Sequence, residues 1–419
     1  MKILNSIEIA KVWAGHPVGF DLLTYDQHQF IVFYGANRQM EIVARRIDSI
    51  SFEQATFPSY IGWDSHNYVT MAIDDADQIH LCGNMHGDPL TYFRTTQPLN
   101  IQSFAQVDHM TGQNEGRCTY PVFMRGSENE LIFRYRDGSS GNGVDYYNVY
   151  NPTTEKWKPL IGQPLLDGKG LMNAYSHGPI MGRDKLFHLV WMWRDTPDCR
   201  TNHHISYARS QDLRKWKTGQ GEEIELPITI DEKRVVVDPV PVDGGMINMN
   251  QSLGFDHQNR PIVSYHKHDA EGKTQIYNAR LEGHQWQIYQ VTNWDYRWDF
   301  KGNGSISAKI RVGAVHLELD GSLVQSYSHV EMGSGGWRLN PDTLEPVETF
   351  CQQADSLPLE ITEVRGNLPG LTVQTCRDRG QNLSEHYLLR WETLSRNRDR
   401  PRDAVPPASQ LTLYTLPKD

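Results

Sequence analysis

Signals for helix are nearly absent from this chain. No stretch carries a long apolar stripe of period 3.6 with caps at both ends. No apolar run approaches the ~18 residues that a membrane helix needs, so a membrane is not an expected partner. Cysteine is scarce: Cys82, Cys118, Cys199, Cys351 and Cys376 lie scattered with no CxxC spacing, which argues against a zinc module and against a disulfide framework. Positive charge is in deficit. Lys and Arg number 41 against 51 Asp and Glu, a net charge of −10, and such a surface is a poor partner for nucleic acid or anionic lipid. The N-terminal stretch MKILNSIEIAKVW has no apolar segment of signal-peptide length. The expectation is a cytoplasmic protein, or a periplasmic or secreted one if a signal has been removed.

What is present is the composition of a folded chain, 38% hydrophobic, 10% aromatic and 22% charged over 419 residues. Short apolar runs alternate with polar or Gly/Asp turns, which is the all-β pattern. The runs repeat as a unit of strand, polar turn, aromatic-rich strand and third strand. Units begin at FDLLTYDQHQF, NYVTMAIDDADQ, YPVFMRGSENE, GPIMGRDKLFH, SLGFDHQNRPI, AVHLELDGSLV and ITEVRGNLPGL. Their spacing is roughly 45 to 75 residues, near that of propeller blades. We therefore expect one seven-bladed β-propeller domain over 1–419. Its ring should close by an N-terminal strand around 12–25 joining HYLLRWETL of the last blade. The Pro- and charge-rich tail from about 397 is expected to wrap the outside.

Propellers place ligands at the channel ends, where loops of several blades converge. The stretch YIGWDSHNYVTMAIDDADQIHLCGNMHGD reads as a hairpin, YVTMAI and QIHLCG around Asp74-Asp75-Ala76-Asp77. His66 opens the first strand and His86 closes the second, so both fall at one sheet edge, with Asn67, Asn84 and Trp63 beside them. The next unit offers Tyr120 and Arg136 in the same relation. The fourth offers Trp191, Trp193, Arg194, Arg200, Asn202 and His203. Each has a plainer reading: exposed histidines, a packed Tyr120, an Arg136 paired with Asp137, a WMWR run that is only blade core. A further candidate, His16, is fixed between Gly15 and Pro17, and its plainer reading is a structural histidine closing the ring.

This set holds no obvious carboxylate pair, which ordinary glycoside hydrolysis needs. His, Tyr and Arg suit β-elimination beside a uronate. A base removes the C5 proton, the C4–O bond breaks, and arginine neutralises the carboxylate into which the charge spreads. Tyrosine can serve as acid without help, and as base only beside positive charge. GSSGNG resembles a phosphate loop in composition alone; no helix signal follows it, so a nucleotide site is rejected.

The strings VWAGHPVGF, GWDSHNYVTMAID, IHLCGNMHGDPLTYFRT, CTYPVF, LIFRYRDGSSGNG, WMWRDTPD and NHHISYARS resemble the seven-bladed propeller family of uronate-specific lyases, which includes ulvan lyases and L-rhamnosyl-α-1,4-glucuronate lyases. The resemblance covers most of the chain and is densest over 12–217. It implies His66, His86 and Tyr120 as catalytic residues, with base and acid shared between a histidine and the tyrosine. It implies Arg136, and Arg194 further on, at the uronate carboxylate; Asn67, Asn84, Trp193 and His203, read from their places beside these residues, are expected as further substrate contacts. A related branch implies α-L-rhamnosidases, which hydrolyse the same linkage with a histidine on the opposite, posterior face, here His16. The expected reaction is elimination at L-rhamnose-α-1,4-D-glucuronate linkages of an acidic oligosaccharide or polysaccharide by a monomer. Hydrolysis through His16 and a non-catalytic glycan-binding propeller are the alternatives. Elimination requires no metal or other cofactor, and the fold leaves room for a structural calcium near the channel.

Overall fold

A computed structural model describes residues 2–350, 357–380 and 385–418; Cys351 lies outside the described residues. Among the described residues the strands form seven antiparallel sheets. Blade 1 runs from Asp21 to Tyr60, blade 2 from Val69 to Gln106 and blade 3 from Cys118 to Pro159, with His86–Asp88 added at its inner edge. Blade 4 spans Asn173 to Asp238, blade 5 Ser252 to Gln290 and blade 6 Ile310 to Phe350. The hairpin read from the sequence forms: Val69–Ile73 pairs with Ile79–Gly83, from Val69↔Gly83 to Ile73↔Ile79.

The turn of that hairpin shows why these residues reverse the chain. The Asp74 carboxylate accepts from the Ala76 and Gln78 amides at 2.8 and 2.9 Å, and Asp77 takes a left-handed conformation, which suits a short polar side chain. Asp184 of blade 4, Asp256 of blade 5 and Asp320 of blade 6 accept main-chain amides at the same turn. The repeat is therefore a repeated turn as much as a repeated strand.

Blade faces bury against their neighbours. One core joins blades 1 and 2 and takes in Tyr387, Leu389 and Trp391 from blade 7, with Phe20 and Trp391 stacked at 4.4 Å. Others join blades 2 and 3, 3 and 4, 4 and 5, and 5 and 6.

Two expectations about the chain ends are corrected in blade 7. The N-terminal strand that closes it is Asn5–Val12, while Asp21–Tyr25 opens blade 1. The tail does not wrap the outside as a whole. Ser409–Pro417 lies inside blade 7, between Glu385–Leu394 and Asn5–Val12. The reason is in LTLYTL, which is apolar on both faces: Leu411 and Leu413 enter the core shared with blades 1 and 2, while Tyr414 and Leu416 pack on Ile361. The polar residues before it obscured that strand.

Candidate active site

In an antiparallel blade, the loop entering the first strand and the loop joining the second to the third lie at the same end. His16, His66 and Tyr120 sit on entering loops or strand starts of blades 1, 2 and 3; His86, Arg136 and Arg194 follow second strands or end them in blades 2, 3 and 4. All six thus belong to one end of the channel. His16 is not on an opposite face.

His66 and His86 stack with ring centroids 4.3 Å apart. One residue missed by the sequence reading joins them. The Asp64 carboxylate receives His66 Nδ1 at 2.6 Å and His86 Nδ1 at 2.7 Å, one on each oxygen. A carboxylate only accepts, so both Nδ1 atoms carry protons, and each ring's other nitrogen, Nε2, is turned away from Asp64. Burial alone would raise the Asp64 carboxyl; the hydrogen bonds and charge of the two histidines outweigh it and hold it far below the ordinary range. Three groups so close could in principle ligate a metal. A tetrahedral ion with ~2.0–2.1 Å bonds would spread its ligands to roughly 3.3 Å, so the observed spacing is that of hydrogen bonds.

Tyr120 stands 5.6 Å from His86 and 6.0 Å from His66 between ring centroids. Its φ of 54° lies in the left-handed region, at a register shift between Thr119 and Val122. An aromatic residue held there is strained, and the bulge turns its side chain away from the regular pleat. Burial, together with neighbouring Tyr175, pushes its phenol well above the ordinary value, so it remains protonated.

Arg136 is 3% exposed. Its guanidinium lies over the Tyr120 and Tyr175 rings at 4.9 and 5.4 Å, and none of its three nitrogens has a hydrogen-bond partner among the described residues. Asp137 does not pair with it; Arg117 lies 3.5 Å from that carboxylate. Gly143 makes room for the side chain, because a Cβ there would come 2.8 Å from Arg136 Cδ. A buried, unpaired cation is costly, and an incoming anion would relieve that cost.

Tyr175 was also missed. Its hydroxyl lies 2.6 Å from Ser140 Oγ and 3.5 Å from Arg194 Nη1. Burial would raise this phenol; Arg136, Arg194 and Ser140 outweigh it and bring it below its ordinary value. It occupies the start of the blade 4 inner strand as Tyr120 does in blade 3, so the repeat itself carried the signal. A third omission is Asp399 from the loop before Ser409. It accepts from Ser65 N and Oγ and from Ser305 N and Oγ, and its Oδ2 lies 3.7 Å from His66 Nδ1. That loop thus ties the blade 2 and blade 6 entering loops together.

Other candidates are placed differently. Arg194 donates to the Thr196 and Pro197 carbonyls and to Asn248 Oδ1, so its donors are engaged and its charge acts through Tyr175. Trp193 is 1% exposed in the core shared by blades 3 and 4, edge-on to Trp191; it forms no sugar platform. His203 is buried between Asp195 and His204. Asn67 donates to Asn84, and Asn84 to Ser59 Oγ and Tyr60 O, so this pair braces the hairpin that carries the histidines. Asn202 donates to Cys199 O and Arg200 pairs with Asp198. His16 is 2% exposed. Its Nδ1 and Nε2 each face a main-chain carbonyl at 3.2 Å, of Pro17 and Gly62; burial lowers its pKa against the pull of those two acceptors, and a neutral ring donates to one of them.

A family model described as "BNR repeat-containing family member" matches residues 28–294. No curated protein matches the sequence. Among solved structures, the chain is similar to the polysaccharide lyase Uly1, with a TM-score of 0.64, 14% identity and 100% of both chains covered. It is also similar to a PL25 ulvan lyase, with a TM-score of 0.62, 12% identity and coverage of 99% of this chain and 96% of that one. The same lyase bound to -[GlcA(1-4)Rha3S]- matches equally well, at 12% identity and a TM-score of 0.62. At such identities the likeness establishes the shared propeller fold.

Proposed function

The chain belongs to the BNR repeat-containing family, and on that premise we propose that it is a polysaccharide lyase that cleaves L-rhamnose-α-1,4-D-glucuronate linkages by β-elimination. The observation that carries this reading is Arg136, a buried guanidinium with no carboxylate paired to it among the described residues, beside a histidine pair and a protonated tyrosine. A uronate carboxylate fits it by charge and by its two acceptor oxygens. With the carboxylate there, the electron density released at C5 is stabilised where it develops.

The histidine pair supplies the base. Asp64 fixes both Nδ1–H tautomers, leaving an Nε2 lone pair to take the C5 proton; we assign this to His86, with His66 beside it. The C5–H electrons form the C4–C5 double bond and the C4–O bond breaks. Tyr120, kept protonated by its surroundings, donates to the departing oxygen. The similarity to ulvan lyases in fold supports a polysaccharide substrate, and the saccharide bound to one of them, -[GlcA(1-4)Rha3S]-, supports a substrate that contains both glucuronate and rhamnose.

The test is absorbance near 235 nm, where a 4,5-unsaturated uronate absorbs, during incubation with ulvan and with rhamnose-capped glucuronate glycans. A rise is expected, and Tyr120→Phe should reduce it by about 10²-fold or more. A flat trace with free rhamnose would replace elimination by hydrolysis. Affinity without turnover, unchanged in Tyr120→Phe, would make the protein a binding module.

A further inference from the structure

We propose that Arg38 and Trp63 form a second anion-binding subsite, which takes the carboxylate or sulfate ester of a sugar residue flanking the one that is cleaved. Arg38 lies in the loop between the second and third strands of blade 1, His28–Tyr34 and Gln39–Arg46. That is the loop position of His86 in blade 2, and its counterparts in blades 3 and 4 bring Arg136 and Arg194 to the same channel end. Four consecutive blades thus present a cation or an imidazole there.

The surroundings suit an anion on a sugar. The Arg38 guanidinium sits 4.2 Å from the Trp13 ring and 4.8 Å from the Trp63 ring, and the two indoles meet edge-to-face at 5.2 Å. Stacking between aromatic faces holds the fork in one plane while leaving its edge N–H groups for an acceptor. Arg38 makes no side-chain hydrogen bond or ion pair among the described residues, although the chain is acidic overall. Its φ of 72° is left-handed, an unusual conformation for arginine. Trp63 is half-buried, directly precedes Asp64 and follows Gly62, where a Cβ would meet nothing within 4 Å. The surface beside Trp63 is therefore open at Gly62, and the indole stands between Arg38 and Asp64 of the histidine group. His16, packed against both indoles, supports them from behind. A polymer that alternates uronate with neutral or sulfated sugar would meet Arg136 on one side of the histidines and Arg38 on the other.

The inference rests on the proposed lyase reading for its choice of saccharide, so the experiment uses binding as well as turnover. Calorimetric titrations compare wild type, Arg38→Gln and Trp63→Phe against a glucuronate–rhamnose disaccharide, a sulfated tetrasaccharide and its desulfated form. Arg38→Gln is expected to weaken tetrasaccharide binding about tenfold, the scale of one charge-assisted hydrogen bond, and to leave the disaccharide unchanged. Loss of the same size on desulfating the ligand of wild type identifies sulfate as the group held; persistence of tight binding identifies the second carboxylate. Unchanged binding of all three ligands by Arg38→Gln overturns the proposal. So does an equal loss on disaccharide and tetrasaccharide, which would make the stack a brace for the main site. A wild type that binds the tetrasaccharide through Arg38 but gives no 235 nm product leaves the subsite standing and removes the lyase reading instead.

Discussion

Asp64 is shared by two imidazoles, and that sharing decides which ring nitrogens can react. In Asp64→Asn an amide N–H would face one Nδ1, which favours the opposite tautomer and places a proton on that Nε2. A fall in kcat of roughly 10²–10⁴ with KM little changed is expected, by analogy with losing the carboxylate that orients a catalytic histidine; steady-state kinetics at 235 nm measure both. The same carboxyl leaves a mark on stability. Its folded pKa lies below that of the unfolded chain, so its contribution is complete above about pH 4 and is lost as pH falls toward the folded value. Melting temperature followed from pH 5 down to 2.5 should decline less steeply in Asp64→Asn than in wild type. Gly143→Ala tests the seat of Arg136: a Cβ 2.8 Å from Arg136 Cδ should displace the guanidinium and raise KM for uronate substrates about tenfold or more, with a smaller change in melting temperature. That His66, His86, Tyr120 and Arg136 come together was legible because hairpin spacing and repeat position are written in one dimension. Asp64, two residues before His66, was equally visible, but a lone aspartate in a polar turn looks like any other. The commitment of Arg194 to the carbonyls of its own loop was not visible, because it depends on how the chain folds back after Pro197.

Among the elements, the last strand is the instructive one. Ser409–Pro417 is paired on both sides, with Glu385–Leu394 and with Asn5–Val12, so removing it strips the partner from the closing strand as well. A chain ending at residue 397 should fail to give a cooperative melt by circular dichroism, whereas a tail wrapped outside the ring would be dispensable. The strand pattern of the seven units was readable from alternating apolar runs. The order of strands within blade 7 was not, because pairing between residues some 400 positions apart leaves no local trace. The same loop that delivers the strand delivers Asp399 to Ser65 and Ser305, which no periodicity could announce.

For the whole molecule, stability depends on the seam where the ends meet. Arg379 of blade 7 holds the Asp21 carboxylate of blade 1 at 2.7 and 2.5 Å, and Asp21 also accepts from the Met71 amide of blade 2 at 2.8 Å. Asp21 is buried, so Asp21→Ala leaves the Met71 amide without its acceptor and removes the counter-charge of Arg379, which keeps the Met71 carbonyl; this should cost on the order of 1–3 kcal/mol in denaturant unfolding. Since each blade buries its faces on its neighbours, the loss should appear as a lower midpoint of a single transition.

The aspartate-braced turns at Asp74, Asp184, Asp256 and Asp320 stand at the far rim, away from the loops that carry His66, Arg136 and Arg38. That rim is a handle. A fusion partner, a fluorophore or a resin linkage placed beside Asp75 would orient every molecule with the end that carries His66 and Arg136 outward, so that ligands too large to diffuse through a matrix could be offered to it.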